Sequence, residues 1–206
     1  NGLTAERGFT NQGEVVIKAR QASDHLGATK MDRPEWIAID PKSGEVYCTL
    51  TNNTRRGADK QPVADAANPR GNNSMGNIIK WKESGDFDGV RFNWSHFVMA
   101  GDPANKRPEA KGNVKGDVFG SPDGLWFDER GVLWIQTDAH ATNMYKDDYA
   151  GVGSNMMLAA DPRTGEIRRF LVGPVNCEVT GVVCTPDMRT MFVNIQHPGE
   201  SPTDRS

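Results

Sequence analysis

The feature that most constrains this chain is a recurrence of short apolar runs joined in pairs by tight turns. Trp36-Ile37-Ala38-Ile39 passes through Asp40-Pro41-Lys42-Ser43-Gly44 into Glu45–Thr51, and Leu125-Trp126-Phe127 passes through Asp128-Glu129-Arg130-Gly131 into Val132–Thr137. Asn155–Ala160 turns at Asp161-Pro162-Arg163-Thr164-Gly165 into Glu166–Val172, and Gly181–Cys184 turns at Thr185-Pro186-Asp187 into Thr190–Ile195. Asp, Pro and Gly at these places favour a β-turn, so each pair predicts two antiparallel strands. With 22 glycines and 12 prolines in 206 residues, the chain favours many short strands over long helices.

Adding Asn77–Lys82 and Arg91–Met99 to the first pair makes four strands, after which the order restarts. Four-stranded units repeated with aromatic and glycine punctuation predict an all-β chain, a β-propeller. The units fall at about residues 31–100 and 121–173, with the start of a third at 177–197, in one partial domain over 1–206. Closure of a propeller takes roughly 4 to 8 blades. An incomplete set is therefore expected here, with self-association through the open blade edges as one way to cover them. Ahead of the first unit, Glu14–Arg20 reads as a strand, and Gln21–Thr29 as either a short helical turn or a loop.

A net charge of −3, with 24 Lys and Arg against 27 Asp and Glu, supplies no basic footprint for nucleic acid. No apolar run approaches the roughly 20 residues of a membrane span, and the N-terminal stretch lacks a signal-peptide pattern. Three cysteines, Cys48, Cys177 and Cys184, are too few for a disulfide framework and have no zinc-like spacing. Cys48 and Cys184 fall within apolar strands, as small buried hydrophobes do.

In a meander the start of the first strand shares an end with the finish of the second. The long connections 52–76, 100–121 and 138–154 therefore gather on the face where the first strands begin, opposite the tight turns. Loops of that length without their own structure are commonly functional. At these strand starts lie Asp32-Arg33-Pro34-Glu35, Ser121-Pro122-Asp123-Gly124 and Cys177-Glu178. First strands line a propeller's channel, so Glu35, Asp123 and Glu178 are expected to converge there as metal ligands. Hard carboxylate oxygens suit Ca²⁺ or Mg²⁺ and offset the cost of crowding like charges.

The plainer readings carry weight beside these. Ser-Pro-Asp-Gly is a common turn, and Asp123 stands out only through its register with Glu35. Glu178 is two residues out of that register. Asp32 is better suited to orienting Arg33 than to binding a metal, while Arg33 is placed to bind an anion. Arg70, within Asn68–Gly76, is a second candidate anion contact, although that stretch also reads as an ordinary polar loop. His140 and His197 follow strand ends and are not selected. The five tryptophans sit at strand positions, as packing residues.

Gly-Ala-Thr-Lys-Met-Asp-Arg-Pro-Glu-Trp at 27–36, Thr-Asn-Asn at 51–53, Ser-Pro-Asp-Gly-Leu-Trp-Phe-Asp at 121–128, Cys-Glu-Val-Thr-Gly at 177–181 and Asn-Ile-Gln-His-Pro-Gly-Glu at 194–200 resemble the PhoX-type alkaline phosphatases, in the same order along most of the chain. The chain looks like the C-terminal part of such a protein. The resemblance implies a six-bladed propeller exported to the periplasm or cell exterior that hydrolyses phosphate monoesters with calcium and iron, Ca²⁺ and Fe³⁺, in the channel. Carried over by motif, Glu35 and Glu178 are metal ligands with Asp123 beside them, and Arg33 and Arg70 contact phosphate. Further ligands belong to a portion that this sequence does not contain. Two alternatives remain at this level: a calcium-dependent lactonase-like propeller resembling the gluconolactonase group, and a non-catalytic binding or scaffold module.

Overall fold

The computed structural model describes residues 2–199 and groups the chain into two compact units, one ending at Lys30 and the other beginning at Met31. Glu200, the last residue of the final motif, lies outside the described residues.

The first unit corrects the strand expected over Glu14–Arg20. It forms two short helices, α1 (Gln12–Ile17) and α2 (Ala19–His25). Asn11 caps α1, its side chain accepting from the Glu14 backbone N–H at 3.1 Å. Glu14 reaches back to the backbone N–H of Thr10 at 2.6 Å and its hydroxyl at 2.9 Å. This reciprocal pairing satisfies the donors that a helix N-terminus leaves open, and it outweighs the strand preference of Val15-Val16-Ile17. The Gln21–Thr29 segment takes the helical of its two expected forms up to His25.

The second unit is built from sheets. Strands β1 (Pro34–Ile39), β2 (Val46–Leu50), β3 (Asn77–Glu83) and β4 (Phe92–Met99) pair in sequence order, all antiparallel. In the second sheet, β6 (Pro122–Phe127), β7 (Leu133–Thr137), β8 (Met156–Ala160) and β9 (Glu166–Val172) repeat that meander, and the two-residue β5 (Lys115–Gly116) adds a parallel edge to β9. Strands β10 (Glu178–Cys184) and β11 (Met191–Gln196) form a hairpin. Among the described residues no helix is long and apolar enough to cross a membrane.

Alternation along the strands gives the first two sheets facing apolar sides. Tyr47, Ile78 and Val98 of the first pack in one cluster with Leu125, Phe127, Leu133, Ile135, Leu158 and Ile167 of the second. Tyr47 meets Phe97 and Phe127 edge-on at 5.3 and 5.2 Å between ring centroids. A separate cluster of Trp134, Met157, Cys177 and Val179, flanked by Val182, Met191 and Val193, joins the second sheet to the hairpin. Outward faces stay open: Ile37 and Ile39 at one end, and Val183 and Phe192 at the other, are exposed.

The three long loops come together as loop parity requires. Asn52 donates to Ser121 Oγ at 3.1 Å, and Ser74 to Asp148 at 2.7 Å. Arg107 pairs with Asp148 and donates to Ser74 Oγ at 2.7 Å. The Tyr149 hydroxyl, buried, meets Ser121 Oγ at 2.6 Å and donates to the Ser74 carbonyl at 2.8 Å. Loops of this length order themselves only when their polar groups find partners, and here the partners lie on one another.

Candidate active site

The site is built on a backbone device that occurs at the start of both β1 and β6. Arg33, before Pro34, has φ +52°, and Ser121, before Pro122, has φ +50°. A residue preceding proline is driven towards extended backbone, and a positive φ outside glycine is strained, so both positions need holding from outside. Each carbonyl receives a backbone N–H from the neighbouring strand's end: Thr51 to Arg33 at 3.1 Å and Asp138 to Ser121 at 2.9 Å.

Strands β1, β6 and β10 each carry a β-bulge. In β1, Pro34 pairs with Leu50 and Ile37 with Cys48, so Glu35 and Trp36 together face Thr49. In β6, Pro122 pairs with Thr137 and Leu125 with Ile135, so Asp123 and Gly124 together face Gln136. In β10 the extra residue is Gly181, between Thr180 and Val182, with φ +57°. A bulge bends the strand and re-aims a side chain. Counted from the bulges, Glu35, Asp123 and Thr180 are equivalent, and Glu178 falls two residues earlier, level with Arg33 and Ser121. The two-residue offset seen in the sequence is thus a real difference in height.

Arg33 links these pieces. Its Nε lies 3.1 Å from Glu35 Oε1 and its Nη2 2.6 Å from Asp138 Oδ2. Burial pulls its pKa down, yet the hydrogen bonds and charges of Asp138 and Glu35 leave it above the usual arginine range. Asp123 is 6% exposed, and its carboxyl is pushed up to about 7, first by burial and then by the negative charges of Asp138, Glu35 and Glu178. Glu178 is likewise raised, by burial and then by Asp138, with His197 acting in the opposite sense. Gln196 Nε2 donates to Glu178 Oε2 at 2.9 Å. A cavity of about 270 Å³ opens among Arg33, Asp138, His140, Asn155, Cys177, Glu178 and His197.

Glu35, Asp123, Glu178 and Arg33 therefore share one electrostatic neighbourhood. Arg70 is not part of it. Its guanidinium is buried: Nη1 donates to the carbonyls of Ala100 at 2.9 Å and Lys111 at 3.4 Å and Nη2 to that of Gly76, Nε has no hydrogen-bond partner among the described residues, and burial lowers its pKa to about 10. The polar-loop reading of Asn68–Gly76 thus accounts for Arg70 better than a phosphate contact does. Asp138 is the residue the motifs missed. It follows the last residue of β7 at the place that Thr51 occupies after β2, so strand pairing points to it where composition does not. Cys177 is buried, which raises its pKa, and it lines the cavity as a thiol-bearing wall. Among the described residues no three His, Cys, Asp or Glu side chains stand as a ready-made metal cage.

Known proteins are similar to this chain in sequence and fold. A search of curated proteins finds no match. Among solved structures, that of Pseudomonas fluorescens PhoX in complex with vanadate, a transition-state analogue, superposes with a TM-score of 0.87 at 50% sequence identity. The match covers 96% of this chain and 34% of that one, so the chain spans about a third of its relative's length. The family model described as alkaline phosphatase PhoX matches residues 2–199. On both grounds, the chain belongs to the PhoX alkaline phosphatase family.

Proposed function

We propose that the intact protein carrying this chain is a metal-dependent phosphatase that hydrolyses phosphate monoesters, and that the two sheets and the hairpin are consecutive blades of its propeller. The observation that carries the reading is a guanidinium held between two carboxylates at the mouth of a cavity, with two more acids beside it. The 50%-identical relative was captured in complex with vanadate, a transition-state analogue, which supports the same chemistry.

The donor set fits a hard cation such as Ca²⁺, and Fe³⁺ accepts the same oxygen ligands. Burial and crowding raise the pKa of Asp123 to about 7, which marks negative charge that Arg33 alone does not offset. Glu35, Asp123 and Glu178, with Asp138, would hold such ions, completed by ligands from the longer protein. When bound, the metal would supply positive charge against the phosphoryl oxygens. Arg33 binds and orients the ester's non-bridging oxygens through its planar fork. Asp138 and Glu35 fix the guanidinium, so that the charge faces the substrate without reorganising, which is what a loose phosphoryl-transfer transition state requires.

Export to the periplasm or cell exterior belongs to the same reading. Further chain of the longer protein covers the open apolar faces at Ile37 and Val183, and where none does, these faces are expected to self-associate. Replacing Glu35 by Gln in the intact protein is expected to lower metal-dependent p-nitrophenyl phosphate hydrolysis by about 100-fold or more. Activity retained in that variant, or hydrolysis of lactones in preference to phosphate esters, refutes the reading.

A further inference from the structure

The residue before Arg33 sits in the most completely buried ionic contact among the described residues. Both Asp32 and Arg56 have side chains 0% exposed, with Arg56 Nε 2.5 Å from Asp32 Oδ1. Asn53 donates to Asp32 Oδ1 and Asn73 to Oδ2, each at 3.0 Å, while the Asp32 backbone N–H donates to Asn68 Oδ1 at 2.9 Å. Neither Asp32 nor Arg56 lines the cavity. A buried ion pair commonly contributes less stability than well-packed apolar residues of the same volume, so a stability role alone explains it poorly.

Its position explains it better. The network grips Asp32 by carboxylate and N–H together, the Arg33 N–H donates to the Met31 carbonyl at 3.1 Å, and the Thr51 N–H on the Arg33 carbonyl fixes the peptide leaving it. Between those clamps Arg33 keeps φ +52° against the preference imposed by Pro34. Relaxation towards negative φ would swing the guanidinium off Glu35 and Asp138. We infer that Asp32 and Arg56 are a positioning pair for Arg33, holding the strained backbone that presents its guanidinium to an anionic ester. The inference rests on the phosphatase reading and assigns the anion-facing geometry of that site to residues outside it.

The test uses the intact, metal-loaded protein. Asp32→Asn keeps shape and removes the charge; because Arg56 then keeps a buried charge beside Asp65, 3.5 Å away, and the Val63 carbonyl, the double variant Asp32→Asn/Arg56→Gln, which removes both charges of the pair, is made alongside. KM and kcat for p-nitrophenyl phosphate, inhibition by vanadate, thermal midpoint and metal content are measured for each. The expected result in the folded variants is about a tenfold or greater weakening of vanadate inhibition and rise in KM, with metal content unchanged. In an Arg33→Gln background the same changes are expected to produce no further weakening. Vanadate inhibition unaltered by Arg33→Gln would overturn the phosphatase role of Arg33 itself. Weakening by Arg33→Gln but not by the Asp32 and Arg56 variants would overturn the positioning role alone. Failure of both variants to fold would assign the pair to stability and overturn it too.

Discussion

The starts of β1 and β6 are the same backbone with different tasks. Both place a positive-φ residue before proline, bind its carbonyl to the adjoining strand's end, and follow with a bulge that carries an acid. At β1 the strained residue is Arg33, whose side chain turns to the cavity while its neighbour Asp32 is anchored in the loop behind. At β6 it is Ser121, whose own hydroxyl is consumed by Tyr149 and Asn52. One start displays a charge, and the other locks the long loops around it. The acids differ in the same way: Glu35 is exposed and paired with Arg33, whereas Asp123 is buried among like charges. The bulge partners differ too, for Thr49 Oγ accepts from the Trp36 N–H at 3.0 Å, while both amide atoms of Gln136 lack a hydrogen-bond partner among the described residues.

The largest effect is expected from the buried acid. The folded pKa of Asp123, about 7, lies above the ordinary 3.8. Between those values the metal-free folded protein keeps a proton that the unfolded chain has released, so this group's contribution is lost as pH rises from about 4 through 7. Asp123→Asn should therefore stabilise chelator-treated protein by about 2 to 3 kcal/mol at pH 8 and leave it unchanged at pH 4. Thermal melts at the two pH values check this, and an equal gap at both would contradict it.

Next comes the bulge of β6. A Cβ on Gly124 would stand 2.1 Å from Gln136 Oε1 and 3.1 Å from its Cδ. Gly124→Ala is expected to cost about 2 kcal/mol in urea unfolding. Adding Gln136→Ala should restore most of that, and an undiminished penalty in the double variant would show that the clash lies elsewhere. The smallest effect is at the lock. Tyr149→Phe removes the hydroxyl shared by Ser121 and Ser74, which should cost about 1 kcal/mol. A change below the error of chemical denaturation would separate the loop lock from the strain at Ser121.

Much of this architecture was legible because turns and strands obey local rules. Asp-Pro-x-x-Gly at 40–44 and 161–165 marks its reversals without tertiary help, and direction alternation then places the long loops on one face. The helix at Gln12–Ile17 was misread because three β-branched residues in a row drew more attention than the Asn11 and Glu14 cap around them. Arg70 reads as an anion contact from its charge and the side-chain amides around it, yet three carbonyls turned inward take up both its Nη groups, a demand invisible until the chain folds. Asp138 lay in no motif and became visible only when strand pairing set it level with Thr51. Local chemistry is written in runs of neighbours, whereas a site assembled from four strand ends is written in register.

The three bulges bear on how such a site changes over generations. Strands β1, β6 and β10 each interrupt their ladder at the place held by Glu35, Asp123 and Thr180, two residues beyond Arg33, Ser121 and Glu178, so a side chain there can be exchanged without losing a rung of the sheet. Glutamate, aspartate and threonine already occupy that one place in the three strands. A scaffold with its variable position at an existing gap can retune which ions and esters it accepts while its folding problem stays the same.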